Sequence, residues 1–404
     1  MAARYDVIVV GAGPAGTTAA KESARRGLKT VLVEKHKIPR SKPCGGGISL
    51  KALNLIDNNI PQYLIEQYVK GFRFFSPSLD SVEFTSKDTI GISTSRDKFD
   101  SFLTKLAIQQ GCEFIDSDEV IDISILSDRV VCRLQSNRQI EGDIIIGADG
   151  ANGVTARKVG LREQWRKDQV GLCLETTVPL SQEEMKNIDL DMFELYFINI
   201  PLGYGWLFPK RSSISLGIGG CLAYLHQPER MFTEFCKTIS MLKNIDINVS
   251  RVSAHLAPAG GFKRKLVSDR AMLVGDAAGF VDPLTGEGIY YAMKSGLLAA
   301  TACQKAIQEN DASFSSLEKY YSNVCTQVFG KDLEIALSLT YKIHDHFATF
   351  FNLLRSSSGS SWAELARGET SYRALRRRML PSLMVILINK KLREFFTLKK
   401  ERQL

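Results

Sequence analysis

Apolar positions recur along this chain with two periods, and the switches between them mark its elements. Val7 to Val10 is a continuous β-branched run, the pattern of a strand buried on both faces. Thr30 to Val33 repeats it, and between the two lies a helical stretch carrying Ala19, Ala20 and Ala24. Residues 50–69 read as a helix and residues 71–94 as short strands. Residues 96–110 read as an amphipathic helix, with Phe99, Phe102, Leu103 and Leu106 at helical spacing. Residues 113–147 alternate as antiparallel strands and end in IIIGADG. Further strand patterns run through 166–220, and a helix through 228–243. A buried strand spans 271–275, and a long helix runs on to about 308. From Leu317 the chain reads as mostly helical.

The turn after the first strand is Gly11-x-Gly13-x-x-Gly16, with Pro14 and Ala15 inside it. Gly11 permits a tight turn, Gly13 lets the backbone approach a pyrophosphate, and Gly16 lets helix and strand pack closely. The helix start presents free N–H groups to a diphosphate. Glu34 ends the second strand, where an acid accepts ribose hydroxyls. Strand, turn, helix, strand and acid fall in order, which predicts a dinucleotide-binding unit. FAD and NAD use the same device. A second Gly-rich segment, GDAAGFVDPLTGEGI, places Asp276 after a buried strand and leads through Pro283 to Gly288 into a helix. Asp276 can accept a hydroxyl of a sugar-alcohol chain. The helix start can face an edge where negative charge accumulates.

These pieces predict an α/β protein. A Rossmann-like nucleotide domain is assembled from 1–70, 95–165 and 267–310. A mostly antiparallel sheet domain, 71–94 and 166–266, is inserted between them, and 311–404 forms a helical C-terminal region.

The matching stretches GAGPAG, PCGGGIS, RDKFD, GADG, YGWLFPK and VGDAAGFVDPLTGEGI give the chain a clear likeness. It resembles the geranylgeranyl reductase family, within the flavoprotein group typified by p-hydroxybenzoate hydroxylase. The resemblance covers residues 5 to about 310. It implies an FAD-dependent reductase of isolated C=C bonds in geranylgeranyl chains, borne on a lipid, a diphosphate, a chlorophyll-type group or a quinone. It implies NADPH or reduced ferredoxin as electron donor, and so a ferredoxin partner in the second case. Gly11, Gly13, Pro14, Ala15 and Gly16 would hold the pyrophosphate. Glu34 and Lys35 would lie at the adenosine ribose, and Arg96 near the diphosphate–ribityl region. Gly275 and Asp276 would bind near the ribityl chain, with Gly286, Gly288 and Ile289 at the flavin edge. Asp149 belongs to the second Gly-Asp motif, which in the family also serves a nicotinamide donor.

The resemblance puts Cys44, Gly45 and Gly46 beside the flavin and the reacting alkene, with the glycines removing bulk where the ring system needs close backbone contact. Tyr204 and Trp206 share one face of a strand, and Phe208 continues it. That aromatic face suits an isoprenoid chain. Catalytic roles are expected for Cys44, Tyr204 and Trp206. The acid that protonates the alkene stays open among Tyr204, Cys44 and water. A flavin monooxygenase or halogenase for an apolar or aromatic substrate shares the scaffold, although YGWLFPK only partly matches the halogenase WxWxIP sequence. A non-catalytic electron-transfer flavoprotein at a membrane is the third reading.

Composition narrows the setting. The chain has 404 residues, 44% hydrophobic and 24% charged, and a net charge of +8. Ser371 to Leu404 holds ten Lys and Arg against two Glu, so this segment carries the whole surplus. The basic residues flank an apolar run, Leu380 to Ile388, which favours an anionic membrane surface over nucleic acid. The eight cysteines are scattered with no CxxC. The start runs straight into the first strand, which predicts no signal peptide, and together with the scattered cysteines this predicts a cytoplasmic setting with peripheral membrane contact. No His pairing offers a metal site, and His36, His226 and His255 read as isolated.

Overall fold

In the computed structural model, residues 3–56, 60–249, 251–356 and 359–378 are described. A parallel sheet forms the nucleotide half, in the order Ala271–Leu273, Gln139–Gly147, Ala3–Val10, Thr30–Val33, Glu113–Ile115. Both faces of the central strand are covered, because Val7 and Val9 belong to one apolar cluster and Ile8 and Val10 to another. The helices Pro14–Arg25, Arg96–Gln109 and Ile289–Gln308 pack together at this sheet. A Cβ at Gly296 would collide with the Ala15 carbonyl oxygen, so glycine sets how closely the first and last of these helices cross. The strands Val120–Ile125 and Val130–Leu134 form an antiparallel ribbon off Gln139–Gly147.

A seven-stranded sheet forms the other half. Its order is Ser253–Pro258, Val170–Pro179, Ser213–Cys221, Tyr204–Pro209, Met192–Tyr196, Gly71–Phe75, Ser81–Thr85. All its neighbours are antiparallel except Met192–Tyr196 beside Gly71–Phe75. Period-two alternation gives this sheet two unlike faces. Leu207, Ile214, Leu216 and Ile218 pack under the helix Pro228–Lys243 through Phe232, Phe235 and Ile239. The opposite face carries Cys173, Glu175, Trp206 and Phe208 and turns toward the nucleotide half.

The helix expected over 50–69 is corrected. Among the described residues of that stretch only Leu50–Leu53 is α-helical. Pro61 precedes a single tight turn, Gln62–Leu64, and Gln67–Val69 is a strand. That strand pairs with Gly91–Ser93, which also pairs with Gly47–Ser49. Pairing with a distant strand buries Leu64 and Val69 and overrides the local pattern. The stretch 71–94 is therefore shared between two sheets.

The C-terminal helices Lys331–Asp345, Phe347–Ser356 and Ser360–Arg367 return over the seven-stranded sheet, where Trp362 packs 5.3 Å from Phe74 and Phe347 packs 5.3 Å from Phe197. No helix among the described residues is long and apolar enough to cross a membrane. Leu380 to Arg393, expected to dock at a membrane, lies outside the described residues.

Candidate functional site

One large cavity lies between the two sheets, under the C-terminal helices. Its nucleotide end begins at the Gly-rich turn. The Gly11 N–H donates to the Val33 carbonyl at 2.7 Å, and the turn bends there with φ +102°, a conformation that favours glycine. A Cβ at Gly16 would collide with the Gly11 carbonyl oxygen, whereas one at Gly13 would meet nothing within 4 Å. Gly13 therefore faces open space. The helix that follows has Pro14 at its first position and no side-chain cap, so its first N–H groups stay free for an anion.

Glu34 is buried and serves the turn itself. Its carboxylate accepts from the Ala12 N–H at 2.8 Å and the His36 N–H at 3.1 Å, and Arg40 lies 3.3 Å away. Lys35 is exposed, with its ammonium 3.9 Å from Glu119, away from the cavity. Gly11, Gly16, Glu34 and Gly275 support the cavity wall from behind, while Gly13, Pro14 and Ala15 are part of it.

Arg96 opens its helix, buried, and donates twice to Asp100, at 2.8 Å each. Burial works against its charge, and Asp100 more than restores it. Asp276 lies across the cavity. Burial pushes its carboxyl up, but Lys42 at 3.6 Å, His255 at 3.3 Å and Arg96 hold it well below the usual carboxylate range. His255 is thus not isolated, as the sequence suggested. The strand Ser253–Pro258 places it on the cavity wall beside Asp276. Gly286, Gly288 and Ile289 line the same end, where the helix Ile289–Gln308 starts without a side-chain cap. Asp282 shapes that turn by accepting from the Leu284 N–H at 2.9 Å and the Thr285 N–H at 3.2 Å. It also accepts from the Tyr372 hydroxyl at 2.9 Å, which ties the C-terminal segment down.

Asp149 is turned away from the cavity. It accepts from the Thr155 N–H and hydroxyl, both at 2.8 Å, and burial raises its carboxyl. Its neighbours Ala148 and Gly150 line the wall.

The other end is apolar. Tyr204, Trp206 and Phe208 do share the cavity face of their strand. The Tyr204 hydroxyl donates to the Thr285 carbonyl, and burial pushes its pKa up. The Trp206 indole N–H donates to Ser215 at 3.3 Å. Phe193 and Phe208 pack at 4.2 Å between ring centroids. The glycines after Cys44 lie against this face. A Cβ at Gly45 would be 2.9 Å from Phe208 and 3.0 Å from the Trp206 indole nitrogen, and one at Gly46 would collide with the Thr94 carbonyl. Gly45 and Gly46 thus lack side chains to fit protein neighbours. The Cys44 sulfur accepts from the Gly46 N–H at 3.4 Å and stands where the two ends meet.

Several wall residues escaped the sequence reading. Phe72, Phe350 and Trp362 come from three separate elements and Phe197 from the loop after a fourth, so no local spacing announces them. Gly171, Cys173 and Glu175 alternate along one strand, and that period was the available signal.

The residues present fit FAD. An uncapped helix start under open space at Gly13 suits a pyrophosphate, and the buried Arg96 adds positive charge. A family model described as "FAD binding domain" matches residues 4–330. The digeranylgeranylglycerophospholipid reductase of Methanocaldococcus jannaschii is 33% identical over 332 residues, covering 78% of this chain and 81% of its own. Digeranylgeranylglycerophospholipid reductase 3 of Methanosphaera stadtmanae is 32% identical over 337 residues, with the same two coverages of 78% and 81%. A solved geranylgeranyl bacteriochlorophyll reductase-like protein from Thermoplasma acidophilum superposes with a TM-score of 0.82 at 26% identity, covering 94% of this chain and 100% of that one. The chain is an FAD-dependent oxidoreductase and belongs to the geranylgeranyl reductase family.

Proposed function

We propose that the protein hydrogenates isolated C=C bonds of a geranylgeranyl chain carried by a lipophilic molecule. The observation that carries this reading is the meeting of two unlike walls in one cavity. Gly13, Arg96 and Asp276 line one end, and Trp206, Phe208 and Phe197 line the other. FAD, when bound, supplies the hydride and its two electrons.

The chain's own residues bind, orient and exclude water. Gly13 and the helix start take the diphosphate, with Arg96 beside it. Asp276, held ionised, takes a ribityl hydroxyl. The aromatic wall takes the prenyl chain, since burial of each CH₂ is worth about 0.8 kcal/mol. Tyr204 holds the 283–288 turn through Thr285, which leaves its proton committed. Cys44, at the junction of the walls, positions the alkene. NADPH or reduced ferredoxin supplies the electrons, and the substrate is drawn from a membrane surface.

The test is stopped-flow mixing of the anaerobically reduced protein with geranylgeranyl diphosphate, an unsaturated ether lipid, a geranylgeranylated chlorophyll and menaquinone. Rapid flavin reoxidation by one of them, with a saturated product, is expected. Reoxidation only with oxygen, giving a hydroxylated or halogenated product, would overturn the reading.

A further inference from the structure

Hydrogenation of an isolated alkene needs a proton as well as a hydride, and most of the acidic groups on the cavity wall are already engaged. Asp276 is kept ionised by Lys42 and His255. Glu287 is ion-paired to Lys51 at 2.6 Å, and Asp282 is engaged by two N–H groups and two tyrosine hydroxyls. The Tyr204 proton is donated to Thr285, and burial pushes the Cys173 thiol up to about 12. Glu175 differs from all of these. It lies on the strand Val170–Pro179, on the cavity wall near Cys44 and Ser215, and its Oε2 is buried without a hydrogen-bond partner.

We propose that Glu175 is the proton donor of alkene reduction. The inference rests on the prenyl-reductase reading. The hydride forms one C–H bond with two electrons. The other alkene carbon takes the proton of the Glu175 carboxyl as the π pair becomes the second C–H bond. The O–H pair stays on Glu175 as carboxylate, which regains its proton from water between turnovers.

The surroundings support both states. Burial raises the carboxyl, so it holds its proton to a higher pH than an exposed glutamate. The Cys44 N–H, Lys210, Arg96 and the Ser215 hydroxyl pull the other way and receive the carboxylate once it forms. Cys173 on the same strand is coupled to it, and Ser253 stands opposite it on the neighbouring strand. Lys210 and Arg96 are both buried, so their charge is little screened.

The experiment uses the FAD-loaded full chain as wild type, Glu175→Gln and Glu175→Asp. The infrared spectrum of the wild type should show a protonated-carboxyl C=O band that shifts in ²H₂O, persists above the ordinary glutamate range as pH rises and is absent from Glu175→Gln. FAD affinity and flavin reduction should be unchanged in Glu175→Gln. Single-turnover oxidation by the prenyl substrate should fall by roughly 10²–10⁴-fold and lose its solvent deuterium effect. Glu175→Asp should recover part of the rate. Absence of the carboxyl band from the wild type, or a Glu175→Gln variant as fast as wild type with the same isotope effect, overturns the proposal and leaves the reductase reading standing. A wild type that reduces no prenyl substrate overturns both.

Discussion

The two ends of the cavity are built on opposite principles. At the nucleotide end the chain offers backbone and charge: an open turn at Gly13, an uncapped helix start, and Arg96 and Asp276 facing each other with their charges fixed by Asp100, Lys42 and His255. At the other end it offers rings: Phe193 packs on Phe208, Phe74 on Phe197, Phe72 joins the two pairs, and Trp362 packs against Phe74. Anion binding is directional and depends on a few N–H groups in one local turn. Apolar binding is non-directional and scales with area, so it can be collected from anywhere in the fold. The first end should therefore fail at single atoms, and the second should weaken by degrees.

The largest effect should come from Gly13→Leu. Its side chain would enter space that is open in the folded chain, so the protein should fold normally yet be colourless, with no FAD released on denaturation. Gly16→Leu collides with the Gly11 carbonyl instead, and circular dichroism should show a folding defect. A folded, yellow Gly13→Leu protein would remove the contrast on which the site rests.

Asp276→Ala should weaken FAD by about 1.5–3 kcal/mol through loss of a charge-assisted hydrogen bond, readable by flavin fluorescence titration. Phe197→Ala should leave FAD affinity intact and raise the substrate KM by no more than about 1.5–3 kcal/mol, the value of one buried ring. If Phe197→Ala released FAD, the two ends would not be separable. Cys44→Ala and Cys44→Ser should keep FAD and slow only the reoxidation by substrate. Equal single-turnover rates would remove Cys44 from the reaction.

The smallest effects are in stability against pH, and the two carboxyls should differ in sign. Asp276 is held below its ordinary value of 3.8, so its contribution is full above that value and is lost as pH falls through the lower folded one. Glu175 is raised above its ordinary 4.5, so its contribution is full below that value and is lost as pH rises through the higher folded one. Urea midpoints across acid and neutral pH should show Asp276→Asn flattening the acid slope and Glu175→Gln the other. The same slope from both variants would contradict this assignment.

The sequence by itself determined the parallel strands, the Gly-rich turn, the helices Arg96–Gln109 and Pro228–Lys243, and the shared face of Tyr204, Trp206 and Phe208. Each is a local matter of period and turn chemistry, which neighbouring residues dictate. It also carried a family likeness in six short stretches. Only the tertiary structure decided that 50–69 is mostly not helix, because a strand there answers to Gly91–Ser93 and not to its own neighbours. It decided that Glu34 serves the turn at Ala12 and that His255 stands beside Asp276. It decided too that the C-terminal helices, legible only as helices, close the cavity with Phe350, Trp362 and Tyr372. These outcomes depend on contacts between residues far apart in the chain, whose pairing no local period encodes.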